Sequence, residues 1–238
     1  MHSCAVTYAD VGIDGRLYHK GALRLLQEAA AINSQQCGYG LLNAEETAVC
    51  WILIGWRVQL LERPLWNTPL TVETWPRTMD GFLSDRDFRI FSGDQLIAKA
   101  ASRWCLVSTH TGRVTRVTET IRSAYALDPL AMFSDNLHTN GKSDETAVES
   151  FSCTVGRRDI DTNHHVNNLH YLDYALEALP QELFDHVPDT LEIVYRKQIL
   201  LGTPIRCLYQ KTADGRHQVE IRSGEEDSPV HHAFLWFY

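Results

Sequence analysis

Between Asp159 and Pro180 the sequence reads DIDTNHHVNNLHYLDYALEALP, and it opens with a carboxylate, a carboxamide and an imidazole at alternate positions, Asp161, Asn163 and His165. In extended chain, alternate side chains share a face, so the three would converge. A carboxylate that activates water or attacks an acyl carbon, beside an imidazole that moves protons, is the equipment of an acyl-transfer hydrolase. The apolar spacing of Val166, Leu169, Leu172, Ala175, Leu176 and Leu179 predicts a helix that begins near His165 and stops at Pro180. The first N–H groups of such a helix lack intrahelical partners, which makes the amides near Val166 and Asn167 candidate oxyanion donors. Asp161 and Asn163 would also serve as plain helix caps, and spacing alone does not separate the two roles.

Other chemistry finds less support. His164, His165 and His170 are close in sequence, but the first two point to different faces and no second Cys or His cluster lies nearby, so no metal site is expected. The sequence has no G-x-S-x-G, phosphate-binding glycine loop or dinucleotide fingerprint, and no cofactor is expected. Six cysteines are scattered without a C-x-x-C pair, as free thiols would be.

The elements that must position the cluster form a pattern seen twice. HKGALRLLQEAAAINSQQCG predicts a long, largely buried helix, with Leu23, Leu26, Ala29, Ala30 and Ile32 recurring every three or four residues. Strand-like runs follow without an intervening helix, which predicts an antiparallel sheet. After a polar, turn-rich stretch the order recurs: strand, helix, several strands. Residues 1–115 are read as one domain that supplies an apolar pocket around Trp51 and Trp56, 116–148 as a linker, and 149–238 as the domain carrying the cluster. LLQEA and YALEA superpose when Glu28 is set against Glu177, an offset of 177 − 28 = 149. At that offset Asp161, Asn163 and His165 fall opposite Gly12, Asp14 and Arg16, so only the second copy holds the cluster. The fold class expected is α+β, two antiparallel sheets each wrapped around its own helix.

A net charge of −8 excludes a general nucleic-acid binder. The longest apolar run, Val49 to Trp56, is far short of the roughly 18 residues of a membrane span, and the polar start does not read as a signal peptide. A soluble cytoplasmic protein is expected.

DIDTNHHVNNLHYLDYALEALP resembles the D-x-D-x-N-x-H-V-N-N-x-x-Y segment of the acyl-ACP thioesterases. The resemblance extends over nearly the whole chain, through LRLLQEAAAINSQQCGYG, IGWRVQLLERPLWNTPLTVETWP, ASRWCLVSTHTGRVTRV and VYRKQ. It implies two tandem hotdog folds, hydrolysis of fatty acyl-ACP without a cofactor, and catalytic roles for Asp161, Asn163 and His165. A further family position, in the Y-R-R-E-C segment of plant members, falls on YRKQI, where Gln198 replaces glutamate and Ile199 replaces cysteine. No thiol nucleophile is available there, and Gln198 can hold water by hydrogen bonds but not titrate. An acidic carrier requires a local cationic surface on this acidic protein, for which Arg157 and Arg158 are the chief candidates and Arg196 and Lys197 weaker ones. A hotdog acyl-CoA thioesterase, a non-catalytic acyl-binding protein and assembly as a homodimer are left open.

Overall fold

The computed structural model describes residues 1–143 and 146–238, and these divide into two compact units, Met1–Leu137 and His138–Tyr238. In the first, β1 (His2–Ala5) and a 3-10 turn (Tyr8–Asp10) precede α1 (His19–Gln36) and a short α2 (Ala44–Thr47). Then come β2 (Val49–Leu60), β3 (Pro69–Asp80), β4 (Leu83–Ser92), β5 (Gln95–Ser108) and α3 (Glu119–Ala124). Leu23, Leu26, Ala29 and Ala30 are buried as their spacing predicts, and α1 packs on β2 and β3. Each buried leucine contributes about 2 kcal/mol by leaving water. Gly21 lets the helix approach the 3-10 turn, since a Cβ there would lie 2.3 Å from the Asp10 carbonyl oxygen.

The second unit holds β6 (Val148–Thr154), a 3-10 turn (Arg157–Asp159), α4 (Asn168–Glu177), α5 (Gln181–Asp185), β7 (Thr190–Tyr195), β8 (Pro204–Lys211), β9 (His217–Ser223) and β10 (Val230–Phe237). The helix α4 buries Tyr171, Leu172, Tyr174 and Ala175 and packs against β6, β9 and β10.

Within each unit the strand pairing is antiparallel and follows one rule. In the first, β1 pairs with β3, β3 with β4, β4 with β5 and β5 with β2. In the second, β6 pairs with β8, β8 with β9, β9 with β10 and β10 with β7. A sheet folded around one helix is the hotdog arrangement, and the chain holds two in tandem, as expected for the α+β class.

Part of the stretch read as a linker is packed. Ile121 and Tyr125 are buried with Met79 and Leu106. Beyond them Leu130 O accepts from Trp75 Nε1 at 2.9 Å, Met132 N donates to Asp87 Oδ1 at 2.9 Å, and Arg57 pairs with Asp135 at 2.9 Å. In the second unit Gln210 and Gln218 donate to Lys142 O at 3.3 and 3.1 Å. Residues 144 and 145 of that stretch lie outside the described residues.

Candidate active site

Residues 161–166 form a tight turn rather than the extended chain expected. Asp161 N donates to His165 O at 2.9 Å and His164 N to Asp161 O at 3.1 Å, while Ile160 and Val166 form a bridge across its base. The Asp161 carboxylate accepts the Asn163 N–H at 2.8 Å, and His164 adopts a left-handed φ of 62°. Asn and Asp side chains favour such reversals because they supply a local acceptor. The helix consequently starts at Asn168 instead of His165, with Asn167 as its cap: Asn167 Oδ1 accepts from Leu169 N at 2.9 Å.

This turn brings Asp161 and His165 together by a different route from simple alternation. Asp161 Oδ1 lies 3.9 Å from His165 Nδ1, and both side chains are mostly buried, 20% and 25% exposed. His165 Nδ1 also lies 3.2 Å from Val166 O. A neutral imidazole donating there keeps its lone pair on Nε2, which has no partner among the described residues. Asn163 and Gln198 are exposed, and neither side chain has a hydrogen-bond partner among the described residues.

The two amides expected to be open for an oxyanion are already engaged. Val166 N donates to Ile199 O and Asn167 N to Asp159 O, each at 2.9 Å. They cap backbone carbonyls of the neighbouring segments, so using them would require breaking both bonds. The first amide of α4 without a partner among the described residues is that of Asn168. Arg157 and Arg158 are exposed on the 3-10 turn before the cluster, Arg158 leaning on Asp159 at 3.5 Å.

The Val166–Ile199 bond places Gln198 beside the turn, and His232 fixes that segment from behind. Its Nδ1 lies 2.9 Å from Lys197 O, its Nε2 2.8 Å from Ser223 Oγ, and its carbonyl accepts from Arg196 N at 2.8 Å. Burial pushes His232 below the ordinary histidine value, so it stays neutral at neutral pH. Residue-by-residue reading of the cluster passed over Tyr171, the closing tyrosine of N-N-x-x-Y. It is buried, stacks edge-on against Tyr195 with ring centroids 5.2 Å apart, and meets the Ile199 amide through its hydroxyl. Burial first, and then the negative charge of Asp161, push the Tyr171 hydroxyl upward and keep it protonated. The signal for it was the helical spacing that aims position 171 back at the turn.

The same turn is built once more in the first unit, with three backbone bonds at the offset of 149 and a fourth that keeps it at the donor while its acceptor comes from the corresponding outer segment. Gly12 N donates to Arg16 O at 2.9 Å, Gly15 N to Gly12 O at 3.0 Å, Tyr18 N to Asp10 O at 3.2 Å and Leu17 N to Pro64 O at 2.8 Å. Gly15, with φ of 72°, stands where His164 does. With no side chain at Gly12, Asp14 supplies the local acceptor, taking the Arg16 N–H at 2.9 Å. The backbone is thus shared, and the carboxylate–imidazole pair belongs to the second copy alone. That pair can take a proton from water and pass one onward.

Residues 1–125 match the family model described as acyl-ACP thioesterase N-terminal domain, and residues 142–236 the one described as acyl-ACP thioesterase C-terminal domain. Among curated proteins the chain is similar to a chloroplastic oleoyl-acyl carrier protein thioesterase of Coriandrum sativum, 26% identical over 93% of this chain and 62% of the relative. It is also similar to the chloroplastic oleoyl-acyl carrier protein thioesterase 2 of Arabidopsis thaliana, 25% identical over 79% of this chain and 56% of the relative. The chain therefore spans about three fifths of the length of these relatives. Its fold is that of an acyl-ACP thioesterase from Bacteroides thetaiotaomicron, with a TM-score of 0.86 and 20% identity over 99% of this chain and 95% of that one. The 12:0-ACP thioesterase from Umbellularia californica shares it too, with a TM-score of 0.84 and 21% identity over 99% and 95%.

Proposed function

The chain belongs to the acyl-ACP thioesterase family, and from that premise we propose that it hydrolyses the thioester of a fatty acyl chain carried on acyl carrier protein. The observation that carries the reading is the Asp161–His165 pair, 3.9 Å apart on a turn whose counterpart holds glycine and arginine. In this mechanism Asp161 takes a proton from water as the water oxygen adds to the thioester carbon. The carbonyl re-forms as the C–S bond breaks, and the thiolate leaves with the proton that Asp161 had taken, handed to the free Nε2 of His165 and on to sulfur, so both residues return to their starting states. Thiolate is a good leaving group, so this modest constellation suffices. The Asn168 amide is the donor assigned to the oxyanion, in place of those of Val166 and Asn167. Asn163 and Gln198, both exposed at the mouth of the turn, hold water and substrate in line.

The first unit, with its apolar interior, receives the acyl chain. Arg157 and Arg158 supply cationic surface for the acidic carrier, a role that Arg196 is less suited to because it is bound to Thr139 O and Asn140 Oδ1 at 3.3 and 2.7 Å. The test is a panel of acyl-ACPs and matched acyl-CoAs spanning short to long chains, scored by free thiol and free fatty acid. Release from acyl-ACP, with Arg157→Glu plus Arg158→Glu raising KM for acyl-ACP more than for acyl-CoA, is the expected result. No thiol release from any acyl-ACP would overturn the reading.

A further inference from the structure

The strands β2 to β5 carry five arginines, and four of them have a carboxylate: Arg57 with Asp135 at 2.9 Å, Arg77 with Asp87 at 3.0 Å, Arg89 with Glu73 at 2.8 Å and Arg103 with Asp85 at 2.6 Å. The fifth, Arg86, is the most enclosed of the group together with Arg57, 4% exposed, and has no ion pair among the described residues. Its Nη1 donates to Thr74 Oγ1 at 3.0 Å, and its guanidinium lies 5.9 Å from the Tyr125 ring centre. Its guanidinium has no other hydrogen bond or ring contact among the described residues. Burial pulls Arg86 down to about 10, with Tyr125 and Cys37 partly offsetting it, so at neutral pH it remains a cation.

Through Tyr125, Arg86 borders an apolar cluster, with the buried Ser102 opposite it on β5. Tyr125 is buried with Met79, Leu106 and Ile121, and Cys37, Tyr39 and Trp51 pack against them. The Tyr125 hydroxyl does not answer the charge, because it accepts from Trp51 Nε1 at 3.0 Å and donates to Ser34 Oγ at 3.3 Å. A guanidinium has five N–H donors in a planar fork, and enclosing its charge with one side-chain hydrogen bond and no carboxylate is strongly unfavourable. A methionine or leucine would fill this space without that penalty. An apolar enclosure with one convergent, under-used polar group is the composition of a ligand site.

We propose that the interior of the first unit binds an acyl chain bearing an oxygen function, a hydroxyl or a carboxylate, away from its carbonyl end, and that Arg86 recognises that oxygen. The fork suits a carboxylate in two-point contact and a hydroxyl in one. This deepens the thioesterase reading by naming a class of acyl group, while the binding itself requires no turnover.

The test uses the full chain and three ligands with an uncharged head, the methyl amides of dodecanoic acid, 12-hydroxydodecanoic acid and dodecanedioic acid. Binding is read by calorimetry or by tryptophan fluorescence. Wild type should bind the two oxygenated amides at least about tenfold more tightly than the plain one, as sites built to hydrogen-bond a ligand oxygen do. Arg86→Met should abolish the difference, and Arg86→Lys, which keeps the charge if the methionine variant does not fold, should retain part of it. Equal wild-type affinities would overturn the proposal. So would a uniform loss for all three ligands in Arg86→Met, or in Arg86→Lys, which would mean that the guanidinium reads the amide head. A gain for the plain chain with the oxygenated chains unchanged would overturn it as well, leaving Arg86 as a plug. Retained preference without acyl-ACP hydrolysis would sink the thioesterase reading alone, and hydrolysis without preference would sink this proposal alone.

Discussion

Asp161→Asn separates catalysis from turn-building at the residue where the two are hardest to tell apart. The structure gives the Asp161 side chain one hydrogen bond, from the Asn163 N–H at 2.8 Å, and a longer approach to His165 at 3.9 Å. An asparagine keeps Oδ1 in place to accept the same N–H. What is lost is the charge assistance in a partly exposed bond, at most about 0.5 to 1 kcal/mol. For a chain of this size that shifts Tm by no more than about 2 to 4 °C. The rate tells a different story, because an amide cannot take a proton from water, and loss of a general base lowers turnover by at least ~10². That corresponds to about 2.7 kcal/mol in the barrier. Asp161→Ala removes the turn bond as well and should melt lower than Asp161→Asn while being no more active. The assays are thermal melting and initial-rate thiol release from acyl-ACP with all three proteins. Asp161→Asn retaining more than about a tenth of wild-type turnover would refute the reasoning, since the residue would then be a cap.

Three further outcomes follow from the geometry. Gln198→Ala should lower turnover about tenfold through lost positioning, with Tm unchanged because the side chain is exposed; Gln198→Glu should stay active, and an inactive glutamate variant would show that a neutral group is required. Arg24→Met should cost about 1 to 3 kcal/mol in urea unfolding, a value discounted for Arg24 being 38% exposed, because it strands the fully buried Asp10 that it grips at 2.5 and 2.6 Å. Burial alone would raise Asp10, but its bonds from Arg24 and Thr7 win and lower it, so its contribution is complete above the usual carboxylate range and fades as pH falls below about 4. His232 lies below its ordinary value, so the unfolded chain takes up the proton first: stability should fall as pH drops through about 6.5, and His232→Gln should flatten that part of the pH–stability curve.

Much of this protein is local in origin and legible in the sequence. The period of Leu23, Leu26, Ala29 and Ala30 defines α1, and the offset of 149 pairs Asp161 with Gly12 down to individual backbone bonds. A periodic apolar pattern says which face must leave water, and a repeated pattern says that the same solution is used twice. The start of α4 was misplaced because Val166 continues the apolar period while its amide is claimed by Ile199, a residue from another segment. That bond, with the nearer one from Asn167 N to Asp159 O, also occupies the two amides expected as oxyanion donors. Periodicity carries no information about which distant carbonyl meets a given N–H. Arg86 makes the point for charge: it sits among five arginines on neighbouring strands that look alike in sequence, and only the pleat and the packing of α1 and α3 decide that four meet carboxylates while one is enclosed without any.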